Sequence, residues 1–513
     1  MSDVTMAEPT PPQATSAPAS GGQGARREGG DPRWAALYVL CAGVLMIVLD
    51  VTVVNVALPS IQEQLHFSNA SLAWVVNAYL ISFGGLLLLA GRLGDLVGRR
   101  RVFLAGIAVF TFASLLCGLA GSQALLVIAR FLQGIGGAMT SAVVLGMIVT
   151  MFSEAREQAK AIGVYAFVAS AGGSVGLLAG GVITQSIDWH WIFFINVPLG
   201  AATAWLVRRM LPDDEGIGLA AGADVPGGVL ITAALMVGVY AIVGPAASHG
   251  WGDTRTLGFG AVSLALLGAF VAREAAASNP LVPLRIFRLK QVVAANVVQI
   301  LSVAGMFGMF FLGALYLRRV LHYDALQIGL SFLPATLVMG TLSIRYSERI
   351  VTRFGPRVAL LTGMPLIMLA LALFARAGVG GSYLADVLPS MALLGIGAGV
   401  AFPALMAVAM SGATPQDAGL ASGLVNTTAQ VGGALGLAVL ATLSASRTST
   451  LSHRGVASAA ALTGGYHLAF WIAAGLVGCA IAVVLATLPR SVARAAGHAA
   501  PGAEEAPGQS ATG

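Results

Sequence analysis

The sequence predicts an all-α membrane protein of fourteen transmembrane helices. Three observations carry this expectation. The chain of 513 residues is 57% hydrophobic and only 10% charged, with a mean hydropathy of +0.84. Its apolar residues fall in runs of membrane-spanning length, and its basic residues collect in alternate gaps between those runs. A soluble protein of this length could not hide so much apolar surface in its cores, so lipid is the natural solvent.

About 20 apolar residues at ~1.5 Å rise cross the ~30 Å hydrocarbon core. In chain order the runs are 34–58, 71–90, 102–121, 124–150, 159–184, 190–211 and 226–247, then 256–272, 291–316, 326–344, 357–375, 383–409, 419–442 and 466–488. The weakest are the short 256–272 and the start of 383–409, which carries Asp386 and Pro389. The even count places both termini on one side. Residues 1–33 and 489–513 are rich in Ala, Pro, Gly and polar residues and read as disordered cytoplasmic tails, the first being no cleavable signal peptide.

Net charge is +6, which could point to nucleic acid, but of 28 Lys and Arg only Lys160 and Lys290 are lysine, and nearly all lie in short inter-helix gaps. With the N-terminus inside, 21 fall on the inner side: Arg26, Arg27 and Arg33 in the tail, the rest in inner loops and the C-terminal tail. Six lie outside, namely Arg255, Arg318, Arg319, Arg376, Arg447 and Arg454, and Arg130 falls within a helix. The positive-inside rule therefore predicts a multi-pass protein of a bacterial inner membrane with both termini cytoplasmic. The charge reads as topology, and no nucleic-acid partner is expected. Cys41, Cys117 and Cys479 each sit in an apolar run and are expected as small packing residues without disulfides.

The fifth run contains Gly172-Gly173-Ser174-Val175-Gly176-Leu177 and the thirteenth Gly432-Gly433-Ala434-Leu435-Gly436-Leu437, sharing G-G-x-x-G-L eight helices apart. Gly98-Arg99-Arg100 after helix two is weakly echoed by Gly355-Pro356-Arg357 after helix ten. These echoes predict that helices 9–14 repeat helices 1–6 in parallel orientation. The expected division is a six-helix bundle at 34–211, a linker with two inserted helices at 212–290, and a second six-helix bundle at 291–488. Such repeats place a substrate cavity at their interface near the bilayer midplane.

The loop after helix two, Gly91-Arg92-Leu93-Gly94-Asp95-Leu96-Val97-Gly98-Arg99-Arg100-Arg101, has glycines for a tight turn and an aspartate able to pair with arginine or cap a helix. An ordinary basic loop would also fit. Its spacing resembles the G-x-L-x-D-x-x-G-R-[RK] signature of the major facilitator superfamily. Three further stretches resemble the EmrB/QacA branch of fourteen-helix drug:proton antiporters: Leu49-Asp50-Val51-Thr52 through Asn55 to Pro59, Arg130-Phe131-Leu132-Gln133-Gly134-Ile135-Gly136-Gly137, and Trp189-His190-Trp191 through Asn196 to Gly200. The resemblance, spanning about 34 to 488, implies a major facilitator fold, a conformational-switch role for Gly91, Asp95, Gly98, Arg99 and Arg100, and an antiporter motif on helix five. That motif survives at Gly172, Gly176, Gly180 and Gly181, but Leu177 replaces the family's proline, removing a kink.

Asp50 lies eight positions before Leu58 and Arg130 six after Ala124, about 12 and 9 Å below the outer ends of their helices at ~1.5 Å per residue. Exposure of either charge to hydrocarbon costs at least ~2.5 kcal/mol, so both should point inward. Burial disfavours an ionised carboxylate and a neighbouring guanidinium favours it. Separating the two could thus switch Asp50 between proton uptake and release; a static ion pair that fixes helix packing is the competing role. Thr52, Asn55, Asn77, Gln133, Asn196, Asn296, Gln299, Asn426 and Gln430, polar at membrane depth, are as a set candidates for the substrate cavity, though any one alone is more often helix–helix glue than a ligand contact. Trp189 and Trp191 are expected in an aromatic belt at the outer interface.

An ATP-driven pump is excluded on motif grounds, since a P-loop lysine follows glycine whereas Lys160 and Lys290 follow Ala159 and Leu289. There is no HExxH or Cys-x-x-Cys spacing for a metal, and no nucleophile–base cluster for a membrane enzyme. The resemblance, more than the residues alone, implies a non-enzymatic, cofactor-free, monomeric exporter of small hydrophobic or cationic compounds such as drugs, driven by the proton gradient. A uniporter or symporter of a small metabolite, or a non-transporting sensor, stays as the alternative.

Overall fold

The computed structural model describes residues 32–488 apart from Asn69, Ser153, Leu219, Ala221 and residues 412–417. The tails expected as disordered lie outside the described residues, save for Pro32 and Arg33. Among the described residues, fourteen helices are long and apolar enough to cross a membrane. They are α1 Pro32–Leu65, α2 Ala73–Val97, α3 Arg99–Gly118, α4 Gln123–Met151, α5 Arg156–Ser186, α6 Trp191–Met210, α7 Val225–His249, α8 Thr254–Ala276, α9 Lys290–Arg319, α10 Ala325–Arg345, α11 Pro356–Phe374, α12 Tyr383–Ser411, α13 Leu420–His453 and α14 Ser458–Thr487.

In lipid no water can satisfy a freed backbone group, so each crossing must be helical. Where chains leave lipid, polar side chains close the exposed ends. Ser122, Asp224 and Asp253 cap α4, α7 and α8, and Asp324 with Gln327 forms a reciprocal capping box on α10. Several helices outrun the apolar stretches. α1 continues through Pro59 to Leu65, although the proline gives up its own backbone bond and crowds the carbonyl one turn back. α13 and α14 project as a polar hairpin, with Thr448 and Thr450 returning their hydroxyls to Ser444 O and Ser446 O (both 2.9 Å). Hydropathy cannot find such extensions because they are stabilised outside hydrocarbon.

Two groups of six helices share one packing scheme. The contacts α1–α5, α1–α6, α2–α4, α3–α4 and α3–α6 recur as α9–α13, α9–α14, α10–α12, α11–α12 and α11–α14. The glycine echo has the same purpose in each group. Gly172, Gly176 and Gly180 lay α5 against Val48, Thr52 and Val53 of α1, while Gly432 and Gly436 lay α13 against Ile300 and Ala304 of α9. The groups meet through α5–α10 and α2–α13, which are equivalent under the repeat, and through α1–α9.

α7 stacks outside this body, on α2, with Gly85 facing Thr232 and Gly228 facing Leu89. It reaches α13 through Thr442 Oγ1, which donates to Ile242 O at 3.2 Å. α8 packs on α7, where Ser263 Oγ donates to Ala234 O at 2.7 Å. Cys41 and Cys117 are buried and Cys479 is exposed, all free thiols. One expectation is corrected: Trp191 is half exposed as a belt residue should be, but Trp189 is buried, bonded to Gln64 and stacked on His190. Its indole finds an acceptor inside the protein, so it has no need of the interface.

Replacing Gly176 by Val forces branched carbons onto the Thr52 side chain and should cost about 1–3 kcal/mol by overpacking. Gly173→Val, one helical position outside that contact and facing open space, should leave thermal unfolding of the purified protein unchanged.

Candidate functional site

A polar network lies inside the first six-helix group. Its geometry starts with the glycines of α4. Gly134 and Gly137 let α4 approach Tyr79, Ser82 and Phe83 of α2, and Gly136 meets Phe110 of α3. At Gly134 and Gly136 a Cβ would run into backbone, and at Gly137 it would press on the Phe83 ring and the Tyr79 hydroxyl. The approach carries Arg130 and Gln133, three residues apart on one helix face, across to Asp50 on α1.

Asp50 is 2% exposed, Arg130 1% and Gln133 0%. Arg130 Nη1 donates to Asp50 Oδ2 (2.5 Å) and to Gln133 Oε1 (2.6 Å). Arg130 Nε donates to Val75 O on α2 (2.9 Å). Gln133 Nε2 donates to Asp50 Oδ1 (2.7 Å) and to Ser114 Oγ of α3 (2.8 Å). Asn196 of α6 completes the ring, its Nδ2 donating to Asp50 Oδ1 (3.4 Å) and Ser114 Oγ (3.5 Å). The Arg130 guanidinium rests 4.5 Å above the Tyr79 ring centroid, with Phe193 at 5.9 Å. Five helices thus converge on one carboxylate. Both its oxygens are occupied and its charge is neutralised, which is the condition for keeping an ion in the bilayer interior.

The pair expected between Asp50 and Arg130 is therefore a direct contact. Gln133, expected as cavity lining, belongs to the same network. The other polar residues divide. Thr52 returns its hydroxyl to Val48 O (2.9 Å) and Leu49 O (3.1 Å) while facing Gly176. Asn296 accepts from Thr428 Oγ1 (2.7 Å) and donates to Val292 O (2.8 Å), which ties α9 to α13. Gln299 is buried on α9 and Asn55 half-buried on α1. Gln430 lies against Gly84 where α2 meets α13, and Asn426 is exposed one turn away. Asn77 is fully buried, with neither amide atom hydrogen-bonded.

Sequence reasoning missed Ser114, Tyr79 and the Val75 carbonyl. A lone serine in an apolar helix reads as a small packing residue, and a backbone acceptor has no sequence signal.

The segment expected as a loop is mostly helix, since Gly91 to Val97 with Asp95 complete α2 and Arg99 opens α3, and the turn left at Gly98 is held from an unexpected direction. Gly98 adopts φ 100°, a left-handed turn that glycine tolerates. Beyond it the amides of Arg99 and Arg100 donate to the Asp214 carboxylate at 2.5 and 3.0 Å. Arg100 pairs with Asp213 and donates Nη2 to Arg208 O (2.8 Å). Ile217 N and Gly218 N bond to Asp95 O and Leu96 O, both at 3.0 Å. Residues 213–218 of the α6–α7 linker thus form a strap across the loop. Asp95 itself pairs with Arg99 (3.2 Å), which also donates to Gly146 O (3.0 Å). Gly91 has only Ala142 nearby. The acidic run Asp213-Asp214-Glu215 was the available signal for the strap.

At the opposite end the two groups are joined. Arg318 of α9 grips Glu63 of α1 with two bonds of 3.1 and 3.2 Å. Gly181 lies against the backbone of Ala325 and Leu326, and Ser174 Oγ donates to Thr336 Oγ1 at 2.9 Å. Leu177, in place of the family proline, presents its carbonyl to Gly329. α5 runs unbroken past it.

Arg130→Met strands the Asp50 charge and should destabilise the purified protein by about 3–5 kcal/mol. The double variant Asp50→Asn with Arg130→Met should recover most of that loss in a thermal-unfolding cycle. Asp214→Ala removes the cap on α3 and should cost about 0.5–2 kcal/mol in the same assay.

A profile of the major facilitator superfamily matches residues 40–437. The chain is 38% identical over 457 residues to the puromycin resistance protein pur8 of Streptomyces alboniger, covering 88% of this chain and 90% of that one. It is 39% identical to the cephamycin export protein CmcT of Amycolatopsis lactamdurans, covering 88% and 92%. Among solved structures, a bacterial homologue of the human lysosomal transporter Spinster, inward-facing and unoccupied, overlays with a TM-score of 0.63 at 16% identity, covering 89% of this chain and 96% of that one. With its repeated six-helix groups, two additional helices and this likeness along most of its length, the chain belongs to the major facilitator superfamily and has the fourteen-helix architecture of its EmrB/QacA-type transporters.

Proposed function

We propose that this protein exports small hydrophobic or cationic compounds from the bacterial cytoplasm by alternating access, in exchange for protons carried on Asp50. The observation that carries this reading is the closed Asp50–Arg130–Gln133 network. An ionised carboxylate so enclosed has one inexpensive way to lose its partner, which is to take up a proton. A proton on Asp50 cancels the charge that Arg130 answers. The guanidinium then keeps Gln133 Oε1, Val75 O and the Tyr79 face, while α1 is left with only the Gln133 amide as its tie to α4 within the network.

α1 is well placed to transmit that release. It carries Asp50, then Thr52 and Val53 on the glycine face of α5, then Glu63 on Arg318 of the other group. The thirteen residues from Asp50 to Glu63 span about 20 Å at helical rise. Under the sidedness read from the arginines, which has both termini cytoplasmic, the Glu63–Arg318 contact ties the two groups together at the outer end. Few charges line the helices, which suits cargo held by apolar area rather than by dense hydrogen bonds. The antibiotic export and resistance named for the relatives supports the same class of cargo. The proton gradient supplies the energy, and the transport unit is taken as a monomer without cofactor.

A second reading has its own observation. α5 carries Leu177 where the antiporter motif has proline and stays continuous there, and a uniporter would need no proton site.

Purified protein in liposomes with an imposed pH gradient separates the two. For a probe such as puromycin or lincomycin, the wild type should move protons against probe. Asp50→Asn should abolish gradient-driven uptake while downhill probe exchange continues. Unaltered proton movement in Asp50→Asn would eliminate the coupling role, leaving the static pair. Susceptibility profiles of deletion and overexpression strains against a toxic-compound panel would identify the cargo.

A further inference from the structure

The arginines at the end assigned to the cytoplasm fall into two sets. In the first group and the inserted pair many are consumed internally. Arg33 pairs with Glu157 (3.2 Å), Arg99 with Asp95 (3.2 Å), Arg100 with Asp213, and Arg273 with Asp224 (3.0 Å). The segment joining α10 to α11 differs. Arg345 ends α10, Arg349 and Arg353 lie one turn apart on a short helix Ser347–Phe354, and Arg357 sits in the first turn of α11. The first three are exposed, and none of the four meets a carboxylate among the described residues. Arg357 has only a long bond to Leu485 O (3.4 Å).

The short helix is amphipathic. Ile350 and Val351 pack on the core while Tyr346 and Phe354 stay exposed beside the arginines. Apolar residues below, aromatic rings at the rim and guanidiniums above describe a segment lying at headgroup level.

The internal repeat shows what this place accepts. Gly98 and Gly355 occupy equivalent positions, both left-handed at φ 100° and 82°, each directly before a helix. In the first group the Asp214 carboxylate seats on the two amides beyond Gly98. In the second no side chain caps α11, and the four guanidiniums meet no carboxylate there among the described side chains. The same turn is filled by a carboxylate in one half and, among the described side chains, meets none in the other.

We propose that the α10–α11 segment seats the headgroup phosphate of an anionic phospholipid, through Arg345, Arg349, Arg353 and Arg357. The membrane itself brings such headgroups to this depth, and each basic residue near the surface strengthens the attraction about fivefold.

The test uses the full chain in nanodiscs of phosphatidylcholine, with or without phosphatidylglycerol. Native mass spectrometry should find phosphatidylglycerol retained, and its presence should raise the unfolding temperature. The quadruple variant R345Q/R349Q/R353Q/R357Q should lose retention at least tenfold. The corresponding four Arg→Lys changes should keep most of it, because the charge stays. Arg447→Gln with Arg454→Gln, at the opposite end, should change nothing. Equal retention in the glutamine variant overturns the proposal, as does equal stabilisation of the wild type by inorganic phosphate in pure phosphatidylcholine. If the glutamine variant does not fold, the wild type decides: retention must fall as salt rises, and retention unaffected by salt overturns the proposal.

Discussion

Everything inside this protein is arranged around one constraint: an ion in a bilayer must be answered by an opposite charge and by hydrogen bonds, because water is absent. The α1 carboxylate and the α4 guanidinium meet that requirement together, and neither can be moved alone. Gln133 is what makes the arrangement closed rather than merely paired, since it accepts from Arg130 and donates to Asp50 at once. The rest of the first group follows from holding five helices at the distances this network demands. α4 can come close enough only because Gly134, Gly136 and Gly137 leave no side chain in the contact.

Small residues also determine which surfaces can move. Glycine rows face α1 from α5 and α9 from α13, smooth contacts with few interlocking side chains. Between the groups the contacts are similarly sparse: Gly84 on Gln430, Gly181 on α10, Gly329 on the Leu177 carbonyl. Small-residue interfaces gain little from any single deep insertion, so neighbouring arrangements can lie close in energy. Polar fasteners at the ends, such as Glu63 with Arg318, then bias the choice weakly, because exposed ion pairs contribute little each.

The fold was largely legible because its two signals are intrinsically long. Apolar runs of membrane length and an asymmetric arginine distribution are sums over many residues, insensitive to any one. Boundaries were less so: α1 passes through Pro59 and α13 extends to His453 because backbone bonding continues beyond hydrocarbon. The Asp50–Arg130 contact could be anticipated from depth alone, since a charged side chain at the midplane has few permitted partners. Of the rest, Gln133 and Asn196 stand out in the sequence as polar residues at membrane depth, but their partners do not. Asn196 lies 146 residues from Asp50 and Ser114 lies 19 from Gln133, and such juxtapositions depend on helix rotation, which periodicity in a nearly uniformly apolar helix does not report. The burial of Trp189 failed for a related reason: its partner Gln64 is contributed by an α1 extension that hydropathy does not reveal.

The linker strap gives the inserted helices a physical consequence. Residues 213–218 cross the loop between α2 and α3 before entering α7, and Arg92 of α2 donates to Gly222 O at 3.2 Å just ahead of that helix. α7 then lies along α2 and touches α13 at Ile242. Any rotation of α2 against α13, the contact joining the two groups, must carry the loop, the strap and α7 with it or break the Asp214 cap. The extra pair is therefore tied to the first group at its most arginine-rich turn, while the second group has no carboxylate seated on its equivalent turn among the described side chains. That asymmetry between two otherwise parallel repeats is where the fourteen-helix chain departs most from a simple duplicated bundle.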